Sequence, residues 1–256
     1  MDLELTGKIA LVTGAAGNSI GHAIAKALAA EGAQTVVLAR RGDLLAMLRD
    51  EIEKTGGKRP LAIAADVTDR SIFSNIRDQV LQEFGHLDIM VNAAGASLSL
   101  PTDPDENVQD EAWERAFAVN FTPARKLASA FLPVMQERKW GRIIYVTDSL
   151  EPYRYASAHA TRSSATALGK GLSREFGKWG ITVNCILPGR IHTEQSSHEF
   201  PTAESEAHEV AHAGIPLGYF GEPYDIAYLA TFLCSPKARY VNGECIYIDG
   251  GLHRAM

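Results

Sequence analysis

Short apolar runs alternate with longer helical patterns along the whole chain, and this alternation constrains the fold most. Runs such as "KIALVTG", "TVVLARR", "LDIMVNAAG" and "ITVNCILPG" are rich in β-branched residues, which is typical of buried strands. The patterns between them have apolar residues at helical spacing, with long ones over 109–138 and 163–180. Continuous apolar strands that alternate with helices predict an α/β Rossmann fold, a doubly wound parallel sheet with helices on both faces.

Composition is compatible with one such domain over residues 1–256. The chain is 46% hydrophobic and 22% charged, and it has no repeat or linker. A net charge of -6 gives no reason to expect nucleic acid or an anionic membrane as a partner. We see no signal peptide and no apolar run of about 18 residues, so we expect no membrane span. Three cysteines without metal-like spacing suit a reducing cytoplasm, and we expect no metal site.

The turn "TGAAGNSIG" follows the first predicted strand and opens the first predicted helix. Gly14, Gly17 and Gly21 allow a tight turn and a close approach of the backbone to a pyrophosphate. The N-terminus of the helix supplies free N–H groups and the positive end of its dipole. We therefore predict a dinucleotide site here, with further contacts from Asn18, Ser19 and Ile20.

The end of the second strand favours NADP(H) over NAD(H). NAD-preferring sites usually place an acidic side chain there, next to the ribose 2′-hydroxyl, whereas this chain has Ala39. Arg40 and Arg41 follow, and a guanidinium can pair with a 2′-phosphate. The alternative is that both arginines simply face solvent.

Several motifs, in a fixed order, cover nearly the whole chain: "TGAAGNSIG", "DVTD", "NAAG", "VN" at Asn120, "PGRIHT" and "NGECIYIDGG". With them the chain resembles the short-chain dehydrogenase/reductase family. The resemblance implies a Rossmann fold, a nicotinamide cofactor, a small-molecule substrate and a homodimer or homotetramer. The glycine turn is one residue longer than the family's usual pattern.

The same resemblance implies roles for residues outside the glycine turn. Asp66 and Val67 correspond to residues that hold the adenine, and Asn92, Ala93 and Gly95 to residues that support the cofactor and the central strand. Within "PGRIHT", Ile191 and Thr193 correspond to contacts with the carboxamide, after Pro188 and Gly189.

The catalytic region departs from the family, whose classical members use a serine, a Tyr-x3-Lys pair and a helical asparagine. Alignment without gaps places Arg162 at the lysine position and Ala158 at the tyrosine position. Asp148 stands at the serine position, and Asn120 is unchanged. The standard set of catalytic groups is therefore incomplete.

Tyr155 is the first candidate to replace the missing tyrosine. It precedes Arg162 by seven residues, a spacing similar to the enoyl-acyl-carrier-protein reductase branch of the family. If Tyr155 is helical, it lies about two turns before Arg162 on roughly the same face. Arg162 can then hold ribose hydroxyls and lower the phenol pKa, but it stays protonated and cannot relay protons. The alternative is an aromatic side chain that only packs.

Asp148 and His159 are two further candidates. A carboxylate at Asp148 can protonate or orient an amine or imine, or it can serve as a cap or loop acceptor. His159 suits acid–base chemistry, but its direction differs by about 100° from that of Ala158, so we expect it at the surface or an interface. Tyr153 and Arg154 can line the same cleft.

Residues 191–214 follow a strand end and form the least regular segment, which we interpret as a substrate lid. The "HEVAH" sequence within it matches a zinc-protease pattern, yet we interpret it as a polar helix face.

The sequence thus predicts an NADP(H)-dependent oxidoreductase that acts on a C=C bond, an imine or a ketone. The alternative is a redox-silent relative, either a lyase- or dehalogenase-like enzyme or a cofactor-binding subunit.

Overall fold

The computed structural model describes residues 1–98, 105–151 and 155–254. Within these ranges, seven strands form one parallel sheet in the order β3-β2-β1-β4-β5-β6-β7. The strands are β1 Ile9–Thr13, β2 Gln34–Ala39, β3 Leu61–Ala64, β4 Ile89–Asn92, β5 Gly141–Val146, β6 Ile181–Pro188 and β7 Cys245–Ile248. The helices are α1 Ile20–Ala30, α2 Gly42–Lys54, α3 Ile72–Phe84, α4 Glu106–Asn120, α5 Thr122–Arg138, α6 Ser157–Phe176, α7 Glu194–Glu199, α8 Ala203–Ala213 and α9 Pro223–Leu233.

Alternate side chains of each central strand enter two separate hydrophobic cores. Val12 of β1 packs on the face covered by α1, α2 and α9, whereas Leu11 packs on the face covered by α3, α5 and α6. A strand buried on both faces is largely apolar, and all five residues of β1 are buried, including Thr13, whose hydroxyl is hydrogen-bonded. The predicted doubly wound Rossmann fold is confirmed.

Two helix boundaries differ from the sequence patterns, and both differences shape the site. The pattern over 109–138 corresponds to two helices, which meet at Phe121. Pro123, in the first turn of α5, has no N–H to donate to the preceding turn, so one continuous helix cannot form. This break makes Asn120 the last residue of α4. Helix α6 begins at Ser157, earlier than the pattern over 163–180 suggests, so Arg162 lies in its second turn.

The segment 191–214 also contains regular structure. Helices α7 and α8 each begin with a capping box, in which Thr193 pairs with Ser196 and Thr202 pairs with Ser205. Among the described residues, no helix is long and apolar enough to cross a membrane.

The first prediction concerns the contact between β1 and α1. A Cβ at Gly21 would lie 2.5 Å from the carbonyl oxygen of Gly14 and 2.7 Å from that of Thr13. We expect Gly21→Ala to lower the free energy of unfolding by about 1–3 kcal/mol, because backbone must move apart. Gly171→Ala on α6 is the control, since a Cβ there meets nothing within 4 Å. It should raise stability by about 0.5–1 kcal/mol.

Urea denaturation of the two variants and the parent chain measures both effects. Equal stability of Gly21→Ala and the parent would contradict the close approach.

Candidate active site

A cavity of about 1100 Å³ runs along the carboxyl ends of the strands. This is the edge at which open α/β sheets bind ligands. Most of the residues predicted for cofactor and catalysis line it, namely Gly14, Asn18, Ser19, Ile20, Arg40, Arg41, Asp66, Val67, Ala93, Gly95, Asn120, Asp148, Tyr155, Arg162, Pro188, Gly189, Ile191 and Thr193. Gly17, Gly21 and Asn92 are outside that lining. The cavity therefore brings both predicted groups of residues together along one cleft.

The glycine turn fits a pyrophosphate. A Cβ at Gly14 would lie 2.8 Å from the carbonyl oxygen of Ala93, so only glycine lets the turn approach the end of β4 this closely. Ser19 caps α1, accepting a hydrogen bond from the N–H of His22 and donating one to the carbonyl oxygen of Gly14. The N-terminus of α1 thus opens onto the cleft, as a phosphate-binding turn requires.

The far end of the cleft carries the two predicted arginines. Arg41 precedes α2 and pairs with Glu194 of α7, with Nη1–Oε1 and Nη2–Oε2 distances of 2.6 and 2.5 Å. Hydrogen bonds from the backbone N–H and hydroxyl of Thr68, together with the charge of Arg40, lower the pKa of the exposed Asp66 carboxyl. Arg40 and Arg41 are thus each close to a carboxylate at the rim of the cavity.

Asn92 supports the central strand from behind the cleft. The hydroxyl of Thr13 donates to its Oδ1 over 3.2 Å and accepts from the N–H groups of Ala93 and Ala94. These bonds fix the loop after β4 against β1. Asn92 is 3% exposed and does not line the cavity, so it supports the structure beneath it.

Asn120 connects that loop to α6. Its Oδ1 accepts from the N–H of Ala96 over 2.9 Å, and its Nδ2 donates to the carbonyl oxygen of Ala96 and to Oγ1 of Thr161. The Thr161 hydroxyl in turn donates to the carbonyl oxygen of Ser157. Asn120 therefore holds the start of α6 at a fixed distance from the end of β4.

Asp148, His159 and Arg162 meet at the inner end of the cleft. Nδ1 of His159 lies 3.1 Å from Oδ2 of Asp148, and Nη1 of Arg162 lies 3.9 Å from the same oxygen. The three side chains are 18%, 13% and 22% exposed, in the order Asp148, His159, Arg162. An acid, a base and a fixed cation thus share a site that is largely shielded from water.

The electrostatics of this cluster fix the charge of Asp148. Burial, the largest single effect, raises the pKa of its carboxyl, but His159, the positive charge of Arg162 and the N–H of Ser149 together bring it below the ordinary value. Asp148 is therefore a carboxylate at neutral pH. It can orient and stabilise a cation, whereas donating a proton is not open to it.

The guanidinium of Arg162 lies against the loop after β4. A Cβ at Gly95 would lie 3.2 Å from both Nε and Nη2 of Arg162, so glycine leaves room for the side chain. In the part of the chain that the structure describes, Nε is buried without a hydrogen-bond acceptor. Burial lowers the pKa of Arg162, and Asp148 opposes that shift. An unsatisfied donor at this position suits a ribose hydroxyl of a bound nicotinamide nucleotide.

Tyr155 differs from the expectation of a helical residue on the face of Arg162. It lies two residues before α6 begins and is 81% exposed. Its ring centroid is 6.1 Å from that of Trp113, and the ring borders the mouth of the cavity. Because α6 starts only at Ser157, no helical turn connects Tyr155 with Arg162. Tyr153 and Arg154 lie outside the described residues.

His159, which was expected at the surface or an interface, lines the cavity, and its ring contacts Asp148. The expectation came from comparing the direction of His159 with that of Ala158. A rotation of about 100° about the helix axis from Ala158 still leaves the His159 ring within the cleft. The informative spacing is to Arg162, because residues three apart on a helix share a face. Ala158 itself is buried.

The segment from Gly189 to α7 borders the remaining side of the cleft. Gly189 lies against Asp249, where a Cβ would come within 2.6 Å of the Cα, and Ile191 forms a parallel bridge with Gly221. Thr193 caps α7, whose residues Gln195, Ser196, His198 and Glu199 also line the cavity. The sequence indicates the segment, but no pattern in it indicates these side chains.

The "HEVAH" residues lie on α8, where the rings of His208 and His212 stack 6.1 Å apart. Neither lines the cavity. Within residues 1–98, 105–151 and 155–254, no three His, Cys, Asp or Glu side chains lie together so that they could hold a metal ion.

Known proteins match the chain along its length. The family profile described as Enoyl-(Acyl carrier protein) reductase matches residues 14–253. The chain is 30% identical to the 3-oxoacyl-(acyl-carrier-protein) reductase FabG of Vibrio cholerae over 98% of this chain and 99% of that protein.

Two solved structures share the fold. L-sorbose reductase from Gluconobacter frateurii, complexed with NADPH and L-sorbose, has a TM-score of 0.90 and 30% identity, covering 100% of both chains. A 7α-hydroxysteroid dehydrogenase complexed with NADH and 7-oxo glycochenodeoxycholic acid has a TM-score of 0.88 and 32% identity, covering 98% of this chain and 96% of that one. Together with the cleft, these matches show that the chain belongs to the short-chain dehydrogenase/reductase family of NAD(P)-dependent oxidoreductases.

Proposed function

We propose that the protein is an NADP(H)-dependent reductase of a carbonyl group on a small polar molecule, with His159 as the proton donor. The observation that carries this proposal is the 3.1 Å contact between His159 and Asp148 inside the cleft. It supplies an acid–base pair where the family's tyrosine position holds Ala158. A histidine oriented by a carboxylate is a suitable general acid or base.

The cofactor, when bound, supplies the hydride. The glycine turn and the N-terminus of α1 would hold its pyrophosphate, and Asp66 and Val67 would border the adenine. Arg162 would bind the nicotinamide ribose through donors that include its buried Nε. Preference for NADP(H) follows from Ala39, which offers no carboxylate to a ribose hydroxyl, and from the cations of Arg40 and Arg41.

The proton is handled by His159. Its Nδ1 faces the Asp148 carboxylate, which holds the ring orientation and stabilises the imidazolium. Nε2 is then the atom that gives a proton to the substrate oxygen as the carbonyl is reduced. Arg162 stays charged throughout, so it contributes a fixed positive charge near the developing oxyanion.

The sequence predicts catalytic roles for Asn120 and Tyr155, whereas in this proposal neither residue transfers the proton. Asn120 is a positioning residue, because its side-chain atoms bond to Ala96 and Thr161. Tyr155 contributes to the mouth of the cleft, where it can contact a substrate.

The names of the similar proteins also support a carbonyl group as the reacting group of the substrate. The names 3-oxoacyl reductase, L-sorbose reductase and 7-oxo glycochenodeoxycholic acid each refer to a ketone substrate or ligand. Polar side chains on the substrate side, among them Ser97, Gln109, Arg115 and Gln195, favour a hydroxylated or charged molecule. The lid role of 191–214, the dimer or tetramer and the cytoplasmic location stay predictions.

The second prediction concerns cofactor binding. We expect NADPH to bind more tightly than NADH, because Arg40 and Arg41 lie at the end of β2 and Ala39 offers no acceptor to the ribose. Fluorescence titration of both cofactors against the purified chain measures the two dissociation constants. The absence of binding by either cofactor would favour the redox-silent alternative.

The third prediction concerns His159. We expect His159→Asn to lower kcat by about 10²- to 10⁴-fold, the usual contribution of a general acid. The dissociation constant of NADPH should change less than about twofold, since proton donation is not part of cofactor binding. His208→Asn is the matched control, because that histidine is on α8 outside the cavity lining.

A screen of ketones, enones and imines with NADPH first identifies the substrate for these assays. An unchanged kcat in His159→Asn would contradict the assignment, and reduction of enones alone would contradict the carbonyl class.

The fourth prediction compares Asp148 with Tyr155. Asp148→Asn should lower kcat by roughly 10²-fold or more, because an amide favours the wrong histidine tautomer. Tyr155→Phe should retain kcat within about threefold, since the exposed phenol is not part of the acid–base cluster. Steady-state kinetics of both variants decide between the two proton donors. The reverse order of losses would restore Tyr155 as the acid.

A further inference from the structure

Helix α7, at the start of the segment 191–214, begins next to the glycine turn. A Cβ at Gly17 would lie 2.7 Å from Oε2 of Glu194 and 2.9 Å from Nη2 of Arg41, so this ion pair covers the turn. The backbone N–H of Glu194 also donates to the carbonyl oxygen of Asn18 over 2.9 Å. The first residue of α7 is therefore attached to both cofactor-binding elements, the glycine turn and the end of β2.

The ion pair between Arg41 and Glu194 contributes little to the stability of the fold. The side chains of Arg41 and Glu194 are 47% and 42% exposed, and an ion pair at such a surface contributes little to folding. Its geometry is nevertheless specific, because both carboxylate oxygens meet both terminal nitrogens of the guanidinium. A phosphate uses the same two-pronged arrangement. A carboxylate and a phosphate can therefore compete for the two terminal guanidinium nitrogens of Arg41.

We propose that Glu194 is a specificity-determining residue that competes with the 2′-phosphate of NADP(H) for Arg41. The inference rests on the proposed NADP(H) function of the cleft. A bound 2′-phosphate takes over the guanidinium face and repels the carboxylate, so the Glu194–Arg41 pair opens. NAD(H) has only a hydroxyl at that position and leaves the pair closed. Glu194 therefore weakens NADP(H) binding selectively.

The pair also connects the cofactor to the substrate side of the cleft. Gln195, the next residue of α7, contacts Ser97 across the cavity, with 2.5 Å between Nε2 and Oγ. Opening of the pair frees the start of α7 from Arg41. The type of cofactor thus influences how tightly the lid closes over the substrate space.

The test compares Glu194→Gln, which keeps the size and removes the charge, with Glu204→Gln on α8 as a control at an exposed glutamate outside the cavity. Calorimetry at low salt measures the affinities of NADPH, NADH, 2′,5′-ADP and 5′-AMP. We expect Glu194→Gln to bind NADPH and 2′,5′-ADP roughly 3- to 10-fold more tightly. NADH and 5′-AMP should change less than about twofold, and Glu204→Gln should match the parent chain.

Three other outcomes would contradict the inference or the proposed function. Unchanged NADPH affinity in Glu194→Gln contradicts this inference while leaving the proposed function in place. Weaker NADH binding in Glu194→Gln also overturns it, because Glu194 would then serve the ribose hydroxyl in place of an acid at Ala39. If the parent chain binds none of the four ligands, the proposed function fails, and this inference fails with it.

Hydrogen exchange of the lid provides an independent readout. With saturating NADPH, the amide of Glu194 should exchange faster than with saturating NADH, because its attachment to the turn is weakened. Equal exchange in the two complexes would contradict the opening of the pair.

Discussion

The parallel strands of the sheet end at one common edge, and the position of every candidate functional group depends on this edge. The close contact of Gly21 with the backbone of β1 sets the start of α1 there, and Thr13 fixes the neighbouring loop after β4. Asn120 then holds α6 against that loop. A single set of backbone contacts thus places the cofactor turn and the acid–base cluster in the same cleft.

Buried charge explains why the cluster must be complete. Burial disfavours the charged forms of both Asp148 and Arg162, and each partly offsets the cost for the other. A lone charge left in such a place is strongly unfavourable, so the loss of one partner affects the other. His159 adds a third contact to the same carboxylate. The buried charges on α6 and after β5 therefore have partners within one cluster.

The fold was predictable because buried parallel strands require continuous apolar runs, and β1 illustrates this with five buried residues. Arg162 and Asp148 were found from their spacing to neighbouring motifs. His159 was a candidate from the sequence but was expected at the surface or an interface, because its direction was compared with Ala158 and not with Arg162, three residues later on the same face. Glu194 was missed because its contact with Arg41 joins residues 153 positions apart, which no local pattern indicates. The start of α6 at Ser157, which separates Tyr155 from the helix, likewise depends on tertiary contacts.

The central claim is that the acid–base group of this enzyme is His159 and not Tyr155. A crystal structure of the complex with NADP⁺ tests it most directly, by showing which proton-carrying side chain lies nearest to C4 of the nicotinamide. The account predicts Nε2 of His159 in that position, with Arg162 against the nicotinamide ribose. A structure in which the phenol of Tyr155 has moved into the cleft and lies closer to C4 would contradict it.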